Sequence, residues 1–266
     1  MKSKIKIIIG IIILIAIIII MINPGNNYQR IEIVGSTSVQ PVAEELANAF
    51  VENKTDIKIN VQGGGSSLGI TSVEQAISDI GMSSMDINNS YNFTKYLIGY
   101  DGILVCVNNE NNINDLSSEQ IKNIFSGSVD NWKEVGGENK EIHVMTREEG
   151  SGTRSEFERI IMKDDEIKAD AIVQSSTEAV KQSVASDSGA IGFISYAHMS
   201  DDVKAIKLDG VMATDETIAD GTYTLKIPFL FITKGEKTGM VSEFLDWLNS
   251  STAKEIIQSK HIVLAK

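Results

Sequence analysis

The 266-residue sequence predicts an α/β fold with mainly parallel strands, and three observations carry that prediction. Short apolar runs of strand type alternate with stretches whose apolar residues recur at helical spacing. Small turns rich in glycine and serine follow several of these runs, and most of them open a helix. The hydrophobic fraction, 42%, is enough for one large domain or two smaller lobes.

Along the chain, IEIV (31–34) reads as a strand ending at Gly35. After it Val42, Ala43, Leu46, Ala47 and Phe50 recur at helical spacing. DIKINVQ (56–62) alternates like a strand and meets GGGSS, after which Leu68, Ile70, Val73 and Ile77 suggest a second helix. GILVCVN (102–108) and PFLFITK (228–234) read as buried strands. EIHVMT (141–146) is a strand running into REEGSGTR, and residues 155–162 form a helix with Phe157, Ile160 and Ile161 inward. AIGFISY (190–196) is a further strand, and VSEFLDWLNS and STAKEIIQSK close the chain as two helices. Repeated strand–turn–helix units put the turns at the carboxyl ends of parallel strands, where open α/β sheets bind ligands.

The charge narrows the function. A net charge of −12 and 6% aromatics leave neither the basic face nor the stacking surface that a nucleic-acid binder needs. Cys106 is the single cysteine and reads as a buried structural thiol with no internal disulfide partner. The amino terminus is basic and then apolar. Lys2, Lys4 and Lys6 precede an uncharged run at 7–22, and NPGNN follows as a linker. Residues 1–27 are therefore expected to be a signal or anchor segment, with the rest of the chain outside the cytoplasmic membrane. No A-x-A site is present, which favours an uncleaved anchor over secretion after cleavage, and a buried core helix is the weaker alternative. Setting those three lysines aside takes the remainder from −12 to −15.

Four turns stand out: GSTS (35–38), GGSS (64–67), MSSMD (82–86) and GSGT (150–153). Each follows a strand and three open helices, so their free N–H groups and hydroxyls can converge on one small anion. Singly, each is no more than a serine cap or a flexible loop. None is a nucleotide phosphate loop, because no G-K-[ST] follows the glycines. His143, His198 and His261 are scattered without metal-ligand spacing, so no metal site and no cofactor are expected. His143 reads as a satisfied strand histidine and Trp132 as packing. Tyr91, Phe93, Tyr96 and Tyr100 read as core or its cover.

GSTSVQP, VQGGGSS, DIGMSS, DGILVCVN, IFSGSVDNWKEVGG, REEGSGTR, SGAIGFISY and FLDWLNSSTAKEII occur in that order. Together they resemble the extracytoplasmic phosphate-binding protein of the bacterial phosphate-specific ABC importer, over essentially all of residues 31–266. The resemblance implies a two-lobed type II periplasmic-binding-protein fold with the ligand cleft between the lobes. Residues 31–106 plus 230–266 would form lobe one and 107–229 lobe two, joined by two crossing strands. It implies a phosphate receptor rather than an enzyme, acting as a monomer with membrane permease subunits and their ATPase. The residues matching the family's ligand positions are Thr37, Ser38, Ser66, Ser84, Arg147, Ser151, Gly152 and Thr153, with Glu149 as the acid that braces the arginine. Some members carry an aspartate that accepts the proton of bound phosphate where this chain has Ser84. Glu149 or Asp86 is then the substitute acceptor, although Asp86 reads better as a helix cap or solvent contact. The rivals are a receptor for sulfate or molybdate, a serine-dependent hydrolase, and an anchored adhesion or scaffold protein.

Overall fold

The computed structural model describes residues 28–87 and 91–265. The anchor expectation falls on 1–27, outside the described residues. Among the described residues, no helix is long and apolar enough to cross a membrane.

The first half of the fold is a parallel unit. Strands β1 (Gln29–Gly35), β2 (Ile57–Gly63) and β3 (Ile80–Ser83) run parallel, with β1 central. Helix α1 (Gln40–Val51) connects the first pair and buries Val42, Ala43, Leu46, Ala47 and Phe50, the set the helical spacing predicted. Pro41 sits in its first turn, where a missing N–H costs nothing. Helix α2 (Ser66–Glu74) buries Ile70 and Val73. Leu68 and Ile77 point outward instead: Leu68 lies on the solvent face of the helix, and Ile77 lies beyond its end at Glu74, where Ala76 turns the chain through a positive φ of 56°.

A long strand, β4 (Phe93–Val107), then crosses to the second half. Its Phe93–Gly102 part pairs antiparallel with a late strand, whereas Ile103–Val107 pairs with a different one. The second half contains β5 (Asp115–Leu116), helix α3 (Ser118–Ser126), β6 (His143–Arg147) and helix α4 (Gly152–Phe157). It continues with β7 (Ile172–Gln174), helix α5 (Thr177–Ser186) and β8 (Ala190–Ser195). Short β9 (Lys204–Ala205) and β10 (Lys207–Leu208) and helix α6 (Asp215–Asp220) precede the returning strand β11 (Lys226–Lys234). Helices α7 (Gly239–Trp247) and α8 (Ser251–Ser259) end the fold, against the first half.

The sheet order is β2-β1-β3-β11-β4-β8-β6-β7, with β9 also on β4. Its two flanks are parallel, while β4 and β11 make its centre antiparallel. The expectation of mainly parallel strands thus holds for the flanks, and the centre departs from it because the chain crosses once in each direction. Ile98 is an extra residue on β4 opposite the Phe229–Leu230 step, a bulge in the crossing pair. Beyond it β4 changes partner between Gly102 and Ile103. Asp101 lies at that change, buried, with Oδ1 accepting the Ala197 N–H at 3.1 Å. Burial pushes its carboxyl up to about 7.

One continuous core underlies both halves. In the second half Phe157 stacks on Phe193 at 4.3 Å and meets Phe125 at 4.7 Å. Trp132 is buried and donates from Nε1 to the Gly189 carbonyl, consistent with a packing role. His143 is satisfied by Asp187 at 2.7 Å. Tyr96 and Tyr100 pack on the core, while Tyr91 is half-exposed and stacks on Phe93.

The junction of β1 and β3 depends on Gly35. It has a φ of +146°, and a Cβ there would lie 2.2 Å from the Met82 carbonyl oxygen, which is main chain and cannot swing away. Gly35→Ala is expected to lower stability by about 3 kcal/mol, measured by urea unfolding. A loss below 0.5 kcal/mol would mean that β1 and β3 do not approach this closely.

Candidate functional site

Five strand ends converge on one place. β1 delivers Ser36, Thr37 and Ser38; β2 delivers the glycines before Ser66; β3 delivers Ser84. From the other half, β6 delivers Arg147 and the turn to Gly152 and Thr153, and β7 delivers the turn to Thr177. The parallel flanks make this possible, because their carboxyl ends share a side and helix starts follow them. Ser36, Ser38, Ser66, Ser84, Arg147, Thr153 and Thr177 are all buried.

The hydroxyls form a connected ring across the two halves. Ser36 Oγ donates to Ser84 Oγ at 3.0 Å, and Ser84 Oγ lies 3.3 Å from Ser66 Oγ and 3.5 Å from Thr153 Oγ1. Thr153 Oγ1 is 2.9 Å from Ser38 Oγ, which is 2.8 Å from Thr177 Oγ1. Thr177 Oγ1 in turn accepts from Arg147 Nη1 at 3.0 Å. Main-chain contacts close the same seam: Ser67 N–H donates to the Gly150 carbonyl at 3.1 Å, and Thr177 N–H to Thr37 Oγ1 at 3.5 Å. Gly152 sits against the ring so tightly that a Cβ would lie 2.3 Å from Ser66 Oγ.

Arg147 is held in a fork. Its Nε and Nη2 donate to the two carboxylate oxygens of Glu148, at 2.9 and 2.8 Å. This corrects the expectation for Glu149, which is exposed. Glu148 N–H still donates to the Gln174 carbonyl, which holds its backbone at the end of β6, and its side chain turns back onto Arg147, while Glu149 enters the solvent-facing turn. Ser151 is buried beside the ring; its hydroxyl accepts from Arg154 N–H as the cap of α4 and keeps its own O–H to donate, while its N–H donates to the Glu148 carbonyl. Asp86 is solvent-facing, as its bland reading required. Lys95 beside it holds its carboxyl below the usual range.

Thr37, Ser38, Ser66, Ser84, Arg147, Gly152 and Thr153 are therefore brought together, and Ser36, Glu148 and Thr177 join them. Ser36 lay inside a turn already singled out. Thr177 had a weaker signal, SST directly after the short run IVQ. β7 is exposed and shows no apolar alternation, so sequence reading missed it. His198 was also passed over. Its side chain is 8% exposed, and its Nε2 lies 3.3 Å from the Ser38 carbonyl oxygen.

Hydroxyls, free helix-start amides and one guanidinium around a seam between two α/β halves make a receptor-type cleft for a small oxyanion. The PBP superfamily domain matches residues 23–252. The chain belongs to the PBP superfamily and, within it, to the family of the phosphate-binding protein PstS. The PstS protein of Bacillus subtilis is 34% identical over 229 residues, covering 84% of this chain and 76% of that one. A crystal structure of a substrate-binding protein ascribed to a phosphate ABC transporter of Clostridium perfringens, with bound phosphate, is 36% identical. It superposes with a TM-score of 0.86, covering 90% of this chain and all of the other. An ABC-type phosphate transport receptor from Vibrio cholerae is 32% identical with a TM-score of 0.74, over 88% of this chain and 100% of its own.

Proposed function

We propose that this protein binds inorganic phosphate outside the cytoplasmic membrane and delivers it to an ABC importer. The carrying observation is the hydroxyl ring drawn from both halves beside the Glu148-braced Arg147. In this reading the halves are two lobes, divided where β4 changes partner between Gly102 and Ile103 and again just before β11 at Lys226. β4 and β11 are the crossing strands about which the lobes close over the anion. The chain acts as a monomer tethered by its amino-terminal segment, with membrane permease subunits and their ATPase as partners.

The site's chemistry supports binding rather than catalysis. The ring serines hydrogen-bond to other hydroxyls, and His198 reaches a carbonyl of Ser38 rather than its hydroxyl, so among the described residues no ring serine is set against a base. The phosphate proton needs an acceptor. Neither Glu149 nor Asp86 reaches the ring, so the hydroxyls themselves take that role, each able to donate and accept. A hydroxyl set rejects sulfate less strongly than a carboxylate would.

Calorimetry on the full chain in mild detergent tests this directly. Phosphate is expected to bind at pH 7 at least about tenfold tighter than sulfate. Tighter binding of sulfate or molybdate would instead make this a receptor for that oxyanion.

A further inference from the structure

Most contacts that join the two halves at the ring are hydroxyl groups that a bound oxyanion would engage. His198 is different. It lies on the short segment after β8, in the second half, and reaches the main chain of Ser38 in the first. A carbonyl can only accept, so His198 Nε2 carries the proton and donates. Ser38 is thereby gripped on two sides by the opposite half, its hydroxyl by Thr153 and Thr177 and its carbonyl by the imidazole. The segment that carries it is held as well: Lys181 donates to the main-chain carbonyl of His198 at 3.3 Å and pairs with Glu178 at 2.9 Å.

We propose that His198 is a closure latch: its Nε2–H bond to the Ser38 carbonyl holds the two lobes shut over the bound anion without touching the anion itself. The inference rests on the phosphate-receptor reading. Because the bond exists only when the lobes meet, it slows escape of phosphate and leaves capture unchanged.

The surroundings give the latch a pH sense. The groups facing the imidazole are the Ser38 carbonyl, Glu178 and Lys181 from α5, and Arg147 from β6. Burial is the largest influence and holds His198 below the usual histidine range; Lys181 and Arg147 act the same way, against the Ser38 carbonyl and Glu178. In an opened cleft the ring regains water and its ordinary basicity. The open form then binds the proton more tightly than the closed form. Acid therefore favours opening, and the latch weakens as pH falls from about 7 to 5.

The test measures phosphate affinity and release rate by calorimetry and stopped-flow on the full chain in mild detergent. His198→Ala is expected to raise the release rate about five- to tenfold with an unchanged on-rate. His198→Gln, whose amide can donate to the same carbonyl, is expected to stay within about threefold of wild type at pH 7. It should also lose less affinity than wild type between pH 7 and 5, a comparison in which phosphate's own titration cancels. Wild-type release rates in His198→Ala would overturn the latch, as would a His198→Gln as impaired as the alanine variant, since ring volume alone would then matter. Parallel pH profiles for wild type and His198→Gln would overturn its pH sense. Absence of phosphate binding by the wild type would be a separate failure, that of the receptor reading.

Discussion

Arg147→Ala is expected to abolish phosphate binding at micromolar concentrations, with an affinity loss of at least about 30-fold and up to several thousand-fold. That range follows from the 2–5 kcal/mol typically lost when one partner of a buried, hydrogen-bonded charge pair is truncated. Two effects act together. The ring loses the guanidinium whose fork matches oxyanion geometry, and Glu148 is left beside the site as an unpaired carboxylate whose charge repels the anion. They can be separated. Arg147→Ala combined with Glu148→Ala removes the repulsion and should recover about tenfold, whereas Arg147→Lys restores charge but not the fork and should fall between. Thermal unfolding without phosphate shows whether the buried site has simply come apart. Arg147→Ala binding within threefold of wild type would remove Arg147, and the ring with it, from the binding site.

Gly152→Ala tests the same site by shape instead of charge. At the first position of α4, alanine suits the helix better than glycine. The added Cβ would nevertheless lie 2.3 Å from Ser66 Oγ and 2.7 Å from Ser84 Oγ, atoms of the opposite half. The separated lobes tolerate the methyl group, while the closed ones must shift to admit it. Affinity for phosphate should fall about 10- to 100-fold, the overpacking cost of 1–3 kcal/mol, with no loss of thermal stability in the absence of ligand. Unchanged affinity would mean that the halves do not close this tightly around the anion.

The elements that read well in the sequence are those whose burial is strongly one-sided or complete. β1 alternates between buried and partly exposed positions, α1 buries the five residues its spacing picked out, and β8 is buried throughout. β7 and the ends of α2 read poorly. β7 has exposed Ile172 and Val173, and Ile77 lies past a helix already ended by a left-handed Ala76. The turns GSTS, GGSS, MSSMD and GSGT announced the site, because a glycine- and serine-rich turn at a strand end leaves helix-start donors free whatever surrounds it.

Amino-acid order alone sufficed for the α/β class and the position of the glycine- and serine-rich turns, because these depend on periodicity and on residue chemistry local to the chain; Arg147 was singled out from Arg154 only by the family resemblance. Residue order could not choose between adjacent Glu148 and Glu149, since that depends on which side chain turns back onto Arg147 and which enters the solvent-facing turn. Nor could it bring Thr177 and His198 to Ser38, which lies 139 and 160 residues away along the chain. Those contacts exist because β4 and β11 carry the chain across and back, setting the strand ends of one half against those of the other.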